Sequence, residues 1–212
     1  VNLNKDRYCP WARAELEGAT IRGSSGTGLQ ANASFVWEGG VAEGNGDWGI
    51  DSNGGADSTR VNGVLVRGNA SGGIKNGFEG SNQLVDNGGP AIEMVANQAQ
   101  YLDAQTEITG NAGNYVRLTS GDVTVDAMWP DQPAPYLLVG DISVRNSAFG
   151  NDKVGPLLTM EAGTEVLFDA GARLLIGEPV STSGGYTGNL LVSGTSTSPV
   201  VMRSLSGVPG SW

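Results

Sequence analysis

Histidine is absent from the 212 residues, and cysteine occurs once, as Cys9. The first absence removes the commonest general base, the Ser-His-Asp triad and most zinc sites together. The second excludes a disulfide within the chain. Charged residues make up only 16% and aromatics only 7%. No apolar run reaches the roughly 18 residues that mark a membrane-spanning helix, so membrane insertion is not expected. Basic residues are scarce: 12 Lys and Arg stand against 22 Asp and Glu, a net charge of −10. Phosphate backbones require clustered Lys and Arg, so nucleic acid is not expected as a partner. The acidic excess serves solubility or, more pointedly, cation binding.

Glycine is abundant instead, at 34 of 212 residues, more than twice the ordinary share of roughly 7%. There is no strict glycine triplet, which excludes collagen, and too little Ala, Glu, Lys and Leu for a coiled coil. This much glycine indicates many turns between short strands, or flexible linkers.

An internal repeat decides between these. The steps along the series Asn45, Asn69, Asn87 and Asn111 are 24, 18 and 24. Five residues after each comes a branched apolar residue: Ile50, Ile74, Ile92 and Val116. Three residues before each comes Ala42, Val66, Leu84 or Ile108, and just before it Gly44, Gly68 or Gly110, with Asp86 the exception. An earlier copy places Ser24 in the Asn position, with Ile21, Gly23 and Leu29 around it. Repeats of about 18–24 residues are too short for packed helix pairs but suit one turn of short strands. No turn buries its own inner face, so neighbours must stack. The Asn column is expected at a sharp corner, where Asn tolerates positive φ and its amide can bond the Asn of the next turn. Charges follow the same period. Asp51, Lys75, Glu93 and Arg117 succeed the inward column with alternating sign, as do Arg22, Glu43 and Arg67 before the Asn column. Opposite charges on neighbouring strands contribute about 0.2–1 kcal/mol per pair. A helix-forming composition in 91–105 indicates a short helix or long loop, with Ala91–Met94 kept on a strand because Ile92 is in the inward column.

Composition shifts near residue 129, and seven of the nine prolines follow. Residues 1–128 therefore form regular Asn-anchored repeats. Residues 129–212 begin with a loop, WPDQPAP, and continue with less regular repeats of the same elongated domain. Strands are predicted at Tyr136–Val139, Ile142–Val144, Leu157–Met160, Glu165–Phe168, Arg173–Ile176, Leu190–Val192 and Val200–Met202, and a surface loop at 181–189.

The segments LLTMEAGTEVLFDAGARLLIG (157–177), GNLLVSGTSTSPVVMRS (188–204) and PGSW (209–212) resemble a pattern in bacterial secreted and cell-surface right-handed parallel β-helix proteins. The resemblance implies an all-β fold: a single-stranded right-handed parallel β-helix, or solenoid, with further turns beyond residue 212. It is specific for fold and weak for activity, because this architecture carries lyases, hydrolases, adhesins and stalks.

Glycosidases need two carboxylates flanking the scissile bond, and no adjacent acidic pair occurs in this sequence. The best ligand candidate is a weak calcium site in GNGDWGIDSNGGADS (44–58), where Asp47, Asp51, Asn53 and Asp57 offer hard oxygen ligands without the spacing of an EF-hand. Asp122, Asp126 and Asp131 form a weaker group. Trp11, Trp37, Trp48, Trp129 and Trp212 could stack on sugars, but core filling or end capping better suits most of them. The expected function is a non-catalytic structural or adhesive segment of a bacterial surface protein or appendage, located outside the cell. Its expected partner is another protein chain or a glycan, along the rod or at its open ends. The alternative is a carbohydrate-active lyase or hydrolase domain. No cofactor is expected apart from calcium.

Overall fold

A computed structural model describes residues 1–3, 14–53, 59–76, 79–147, 154–181 and 184–208. Cys9, Trp11, Asp57, Trp212 and the PGSW segment lie outside the described residues. The fold is all-β and built mainly of parallel sheets. It divides into two compact units, residues 1–94 with 101–116, and residues 95–100 with 117–212. The composition change at residue 129 lies beyond this boundary.

In the first unit the chain alternates between two sheets. One takes β1 (Asn2–Leu3), β3 (Leu29–Ala31), β5 (Trp48–Ser52), β7 (Gly72–Lys75), β9 (Pro90–Val95) and β11 (Gly113–Thr119), in that spatial order. The other takes β2 (Ala14–Arg22), β4 (Phe35–Glu43), β6 (Arg60–Arg67), β8 (Gln83–Val85) and β10 (Glu107–Thr109). Successive strands pair in parallel, from β1–β3 to β7–β9 in one sheet and from β2–β4 to β8–β10 in the other. A short 3-10 helix, Ala96–Tyr101, follows β9, so Ala91–Met94 is indeed strand.

Both apolar columns stack as the repeat predicts. Leu29, Ile50, Ile74 and Ile92 are successive partners. Ile21, Ala42, Val66, Leu84 and Ile108 form the facing column. Ile50, Ile74, Ile92, Val116, Ala42, Val66 and Leu84 are completely buried. Full burial of each large side group is worth about 1.5–3 kcal/mol. No single circuit can supply this cover, because each gives one residue to each column.

The second unit has three groups of three parallel paired strands. β12 (Gly121–Val123), β15 (Ile142–Val144) and β18 (Leu174–Ile176) form one. β13 (Ala127–Trp129), β16 (Leu157–Met160) and β21 (Asn189–Val192) form the second. β14 (Tyr136–Leu138), β17 (Glu165–Phe168) and β22 (Val201–Ser204) form the third. Here the period is longer than in the first unit: the register Tyr136–Val166–Met202 has steps of 30 and 36. The extra length is carried by connections such as the proline-rich 130–135 segment, which the Tyr136 hydroxyl closes by donating to the Pro130 carbonyl at 2.9 Å. The expected surface loop at 181–189 is corrected in part. β19 (Glu178–Ser181) and β20 (Gly184–Tyr186) pair as an antiparallel hairpin, and Asn189 begins β21. Gly184-Gly185-Tyr186 has no apolar alternation by which the strand could be foreseen.

Candidate functional site

The Asn column is a buried hydrogen-bonded ladder. Asn45 Nδ2 donates to Asn69 Oδ1 at 2.8 Å, Asn69 Nδ2 to Asn87 Oδ1 at 2.9 Å, and Asn87 Nδ2 to Asn111 Oδ1 at 2.8 Å. Each of these oxygens also accepts the backbone N–H of the preceding Asn, at 3.0–3.1 Å. The second N–H of Asn69, Asn87 and Asn111 goes to the carbonyls of Ala42, Val66 and Leu84. The ladder ends at Ser24, whose N–H donates to Asn45 Oδ1 at 3.1 Å. All four Asn are at most 6% exposed, so their polar groups need this pairing.

The expected positive φ at Asn is corrected: it belongs to the preceding residue. Gly23, Gly44, Gly68 and Gly110 have φ of 66, 60, 61 and 67°, and Asp86 takes 54° in the same column. Asp86 thus follows the corner that glycine supplies elsewhere, and Asn on its far side is free to point inward. Just after the ladder, a Cβ on Gly46 would lie 2.3 Å from the Ser25 carbonyl oxygen and one on Gly88 2.2 Å from that of Ala70. Only glycine admits this approach of one circuit to the next.

The charges form rows on the outside. Glu43 lies between Arg22 and Arg67, at 3.9 and 2.8 Å. Lys75 Nζ reaches Glu93 Oε1 at 3.7 Å and lies 5.8 Å from the centre of the Trp48 ring. In the second unit Arg145 bridges Asp122 and Glu178 and covers the Tyr186 ring, while Arg173 pairs with Asp141 and Arg203 with Glu165. Arg22, Glu43, Arg67 and Asp86, with the corner glycines, line an open groove of about 600 Å³. Its charges neutralise one another along the row.

Of the calcium candidates, Asp47, Asp51 and Asn53 lie among the described residues. Asp47 Oδ2 accepts from the Thr27 hydroxyl at 3.1 Å. Asn76 Nδ2 donates to Asp51 Oδ1 at 2.8 Å and to Asn53 Oδ1 at 3.2 Å. Asp51 is 7% exposed. Burial pushes its carboxyl above the usual range, opposed by the Asn76 hydrogen bond and by Lys75. Asp57 lies outside the described residues. Of the weaker group, Asp122 holds Arg145 and Asp126 Oδ1 accepts the Leu157 N–H at 2.8 Å. Among the described residues no three His, Cys, Asp or Glu side chains form a metal-binding group.

Trp37 and Trp129 are fully buried and Trp48 is 9% exposed, so these three do not form an exposed sugar-stacking row. Trp129 stacks on Tyr136 at 5.3 Å. A second polar column escaped the sequence reading. Asn82, 3% exposed, accepts from Val64 N–H and donates to the Val61 carbonyl, while its own N–H meets the buried Thr106 hydroxyl at 3.4 Å. Beside it, Glu38 takes Asn62 and Arg60, which together hold its carboxyl below the usual range. The available signal was the step of 24 from Asn82 to Thr106.

Among the described residues no helix is long and apolar enough to cross a membrane. No protein-family model, no curated protein and no solved structure matches this sequence.

Proposed function

We propose that the protein is a segment of right-handed parallel β-helix of the bacterial secreted or cell-surface kind, with a structural or adhesive rather than catalytic role. Its partner would be another protein chain or a glycan, met along its faces or open ends, outside the cell. The parallel registers and the short, repeated step of the first unit support the fold. The observation that carries the role is how its polar side chains are used. The Asn ladder, the Arg22–Glu43–Arg67 row and the Asp122–Arg145–Glu178 bridge join one circuit to another. Such groups stiffen a stack, and they are not arranged as an acid and a base across a cleft.

The test is a turnover screen against polyuronates and other acidic and neutral polysaccharides, with and without calcium, alongside binding to the same polymers immobilised. The proposal expects binding or inertness without turnover. Turnover abolished by one Asp substitution would establish the carbohydrate-active alternative.

A further inference from the structure

Three inward columns of the second unit stop at its last circuit. Val144 pairs with Ile176, Met160 with Val192 and Val166 with Met202. The first member of each pair is completely buried. Of the second members, Ile176 is 41% and Val192 45% exposed, and Met202 is half-buried. The change comes in one step because an inward side chain is covered by the circuits on both sides of it, and here the described chain supplies only one. β18, β21 and β22 are each the last strand of their group among the described residues. Three strand edges therefore lie beside the uncovered columns, and such edges are templates for pairing with another chain.

Charge sets this end apart. Residues 170–208 hold Arg173, Arg203 and one acid, Glu178, which leaves ten basic against twenty-one acidic residues in the rest of the chain. All three are paired with the preceding circuit, to Asp141, Glu165 and Arg145 respectively. Two copies of a chain with net charge −10 repel one another where acidic surfaces meet. They do not at this end, where the uncovered surface is apolar and its few charges are already neutralised. Leu191 and Val201, 49 and 38% exposed, widen its apolar rim. The exposed aliphatic side chains amount to a few hundred Å², the size at which an apolar patch marks an interface. A stable dimer buries about 800 Å² per partner, so the contact has to take in the three strand edges as well.

We propose that the last circuit of the second unit is a self-docking surface, occupied by the same surface of a second copy. The contact is isologous and closes at two, the commonest symmetry of oligomers. The missing cover of each column is then supplied by the same apolar circuit that ends it. This names the protein chain met at an open end, and it rests on the reading of the protein as stacked parallel circuits with a structural role. The second unit alone takes part.

The experiment is size exclusion with light scattering on the whole chain, from micromolar to millimolar concentration, with sedimentation velocity as a second measure. The wild type is expected to pass from monomer to dimer and no further. Val192→Glu and Ile176→Lys, made separately, change side chains that are already exposed. Circular dichroism and the melting temperature of the dilute protein therefore stay as in the wild type, while the dissociation constant of the dimer rises at least about tenfold in each variant. A wild type that is monomeric at every concentration overturns the proposal. So does a mass that grows beyond the dimer, which would mark a head-to-tail contact, and so does a dimer that neither substitution weakens. Loss of the native circular dichroism in both variants would place the two side chains in a covered core and overturn the open end. Turnover in the polysaccharide screen would overturn the structural role and leave these masses as they are, so the two readings fail separately.

Discussion

Removing one amide from the middle of the ladder tests what holds the circuits together. Asn69 is 1% exposed and uses all its side-chain valences. Its Oδ1 accepts Asn45 N–H at 3.1 Å and Asn45 Nδ2 at 2.8 Å, and its Nδ2 donates to Asn87 Oδ1 at 2.9 Å and the Ala42 carbonyl at 3.1 Å. Asn69→Ala strands two buried donors of Asn45. Each unsatisfied buried group costs about 1–3 kcal/mol, so the loss is about 2–6 kcal/mol. Asn87 Oδ1 keeps the Asn69 N–H and adds less. Domains of this size have stabilities of about 5–15 kcal/mol, so the variant is near unfolding. The outer charge row gives the contrast. Arg67→Ala breaks a half-exposed pair with Glu43, and such pairs are worth about 0–1 kcal/mol. Urea titrations followed by circular dichroism and tryptophan emission measure both, compared by midpoint at constant slope. Trp37 and Trp48 report the first unit and Trp129 the second, so non-coincident transitions would reveal separate unfolding. If Asn69→Ala costs less than about 1 kcal/mol, or no more than Arg67→Ala, the ladder is not the main polar tie between circuits.

Three further outcomes are expected. Ile74→Asp places an unpaired charge in a fully buried column and unfolds the first unit, a loss of several kcal/mol; a native circular dichroism spectrum and melting curve would place Ile74 outside the core. Asp51 has a folded pKa raised by burial, so the stability it lends is present below its unfolded value of 3.8 and is lost as pH rises through the folded value. Relative to Asp51→Asn, the wild type therefore weakens as pH rises above about 4, and paired urea titrations showing a flat or inverted difference would contradict this. Millimolar calcium leaves the melting temperature unchanged with Asn76 donating to Asp51 and Asn53; a calcium-dependent rise lost in Asp51→Asn would establish a cation site there.

The first unit was legible because one residue type marks its period. Asn45, Asn69, Asn87 and Asn111 repeat with an apolar residue at a fixed distance on either side, and the registers of Ile50, Ile74 and Ile92 follow directly. The reason assigned to Asn was incomplete: the corner strain is carried one residue earlier, where Gly and Asp86 share positive φ. The column at Asn82 was hidden because its next member is a threonine, so no residue type recurs. In the second unit the strands were legible from alternation, as at Leu157–Met160 and Glu165–Phe168. Its longer steps from Tyr136 to Val166 and on to Met202 were not, because the intervening loops carry no periodic signal. Of the calcium candidates, Asp51 and Asn53 share Asn76 while Asp47 takes Thr27, contacts between circuits that sequence proximity does not show.

The variation in repeat length has one location. The same step of eight leads from Ile21 to Leu29, Ala42 to Ile50, Val66 to Ile74, Leu84 to Ile92 and Ile108 to Val116. The return steps differ: Ile74 to Leu84 is the shortest, Leu29 to Ala42 is longer, and Ile50 to Val66 and Ile92 to Ile108 are the longest and equal. The constant path holds the positive-φ corner, the Asn ladder and the closely packed Gly46 and Gly88. There, an inserted residue would break hydrogen bonds to both neighbouring circuits. The variable path holds Asn53 and the Ala96–Tyr101 helix, where insertions leave the ladder intact. Length change is tolerated where few backbone bonds depend on it, and recognition loops are drawn from such places. Under the proposed adhesive role, partner contacts therefore belong to the Asn53 side of the first unit. Replacing Asn53 by Ala should weaken partner binding while leaving the melting temperature nearly unchanged. A single glycine inserted between Gly44 and Asn45 should do the reverse, lowering stability by several hydrogen bonds' worth, about 2–6 kcal/mol. If both changes destabilise equally, the two paths do not differ in the way the ladder requires.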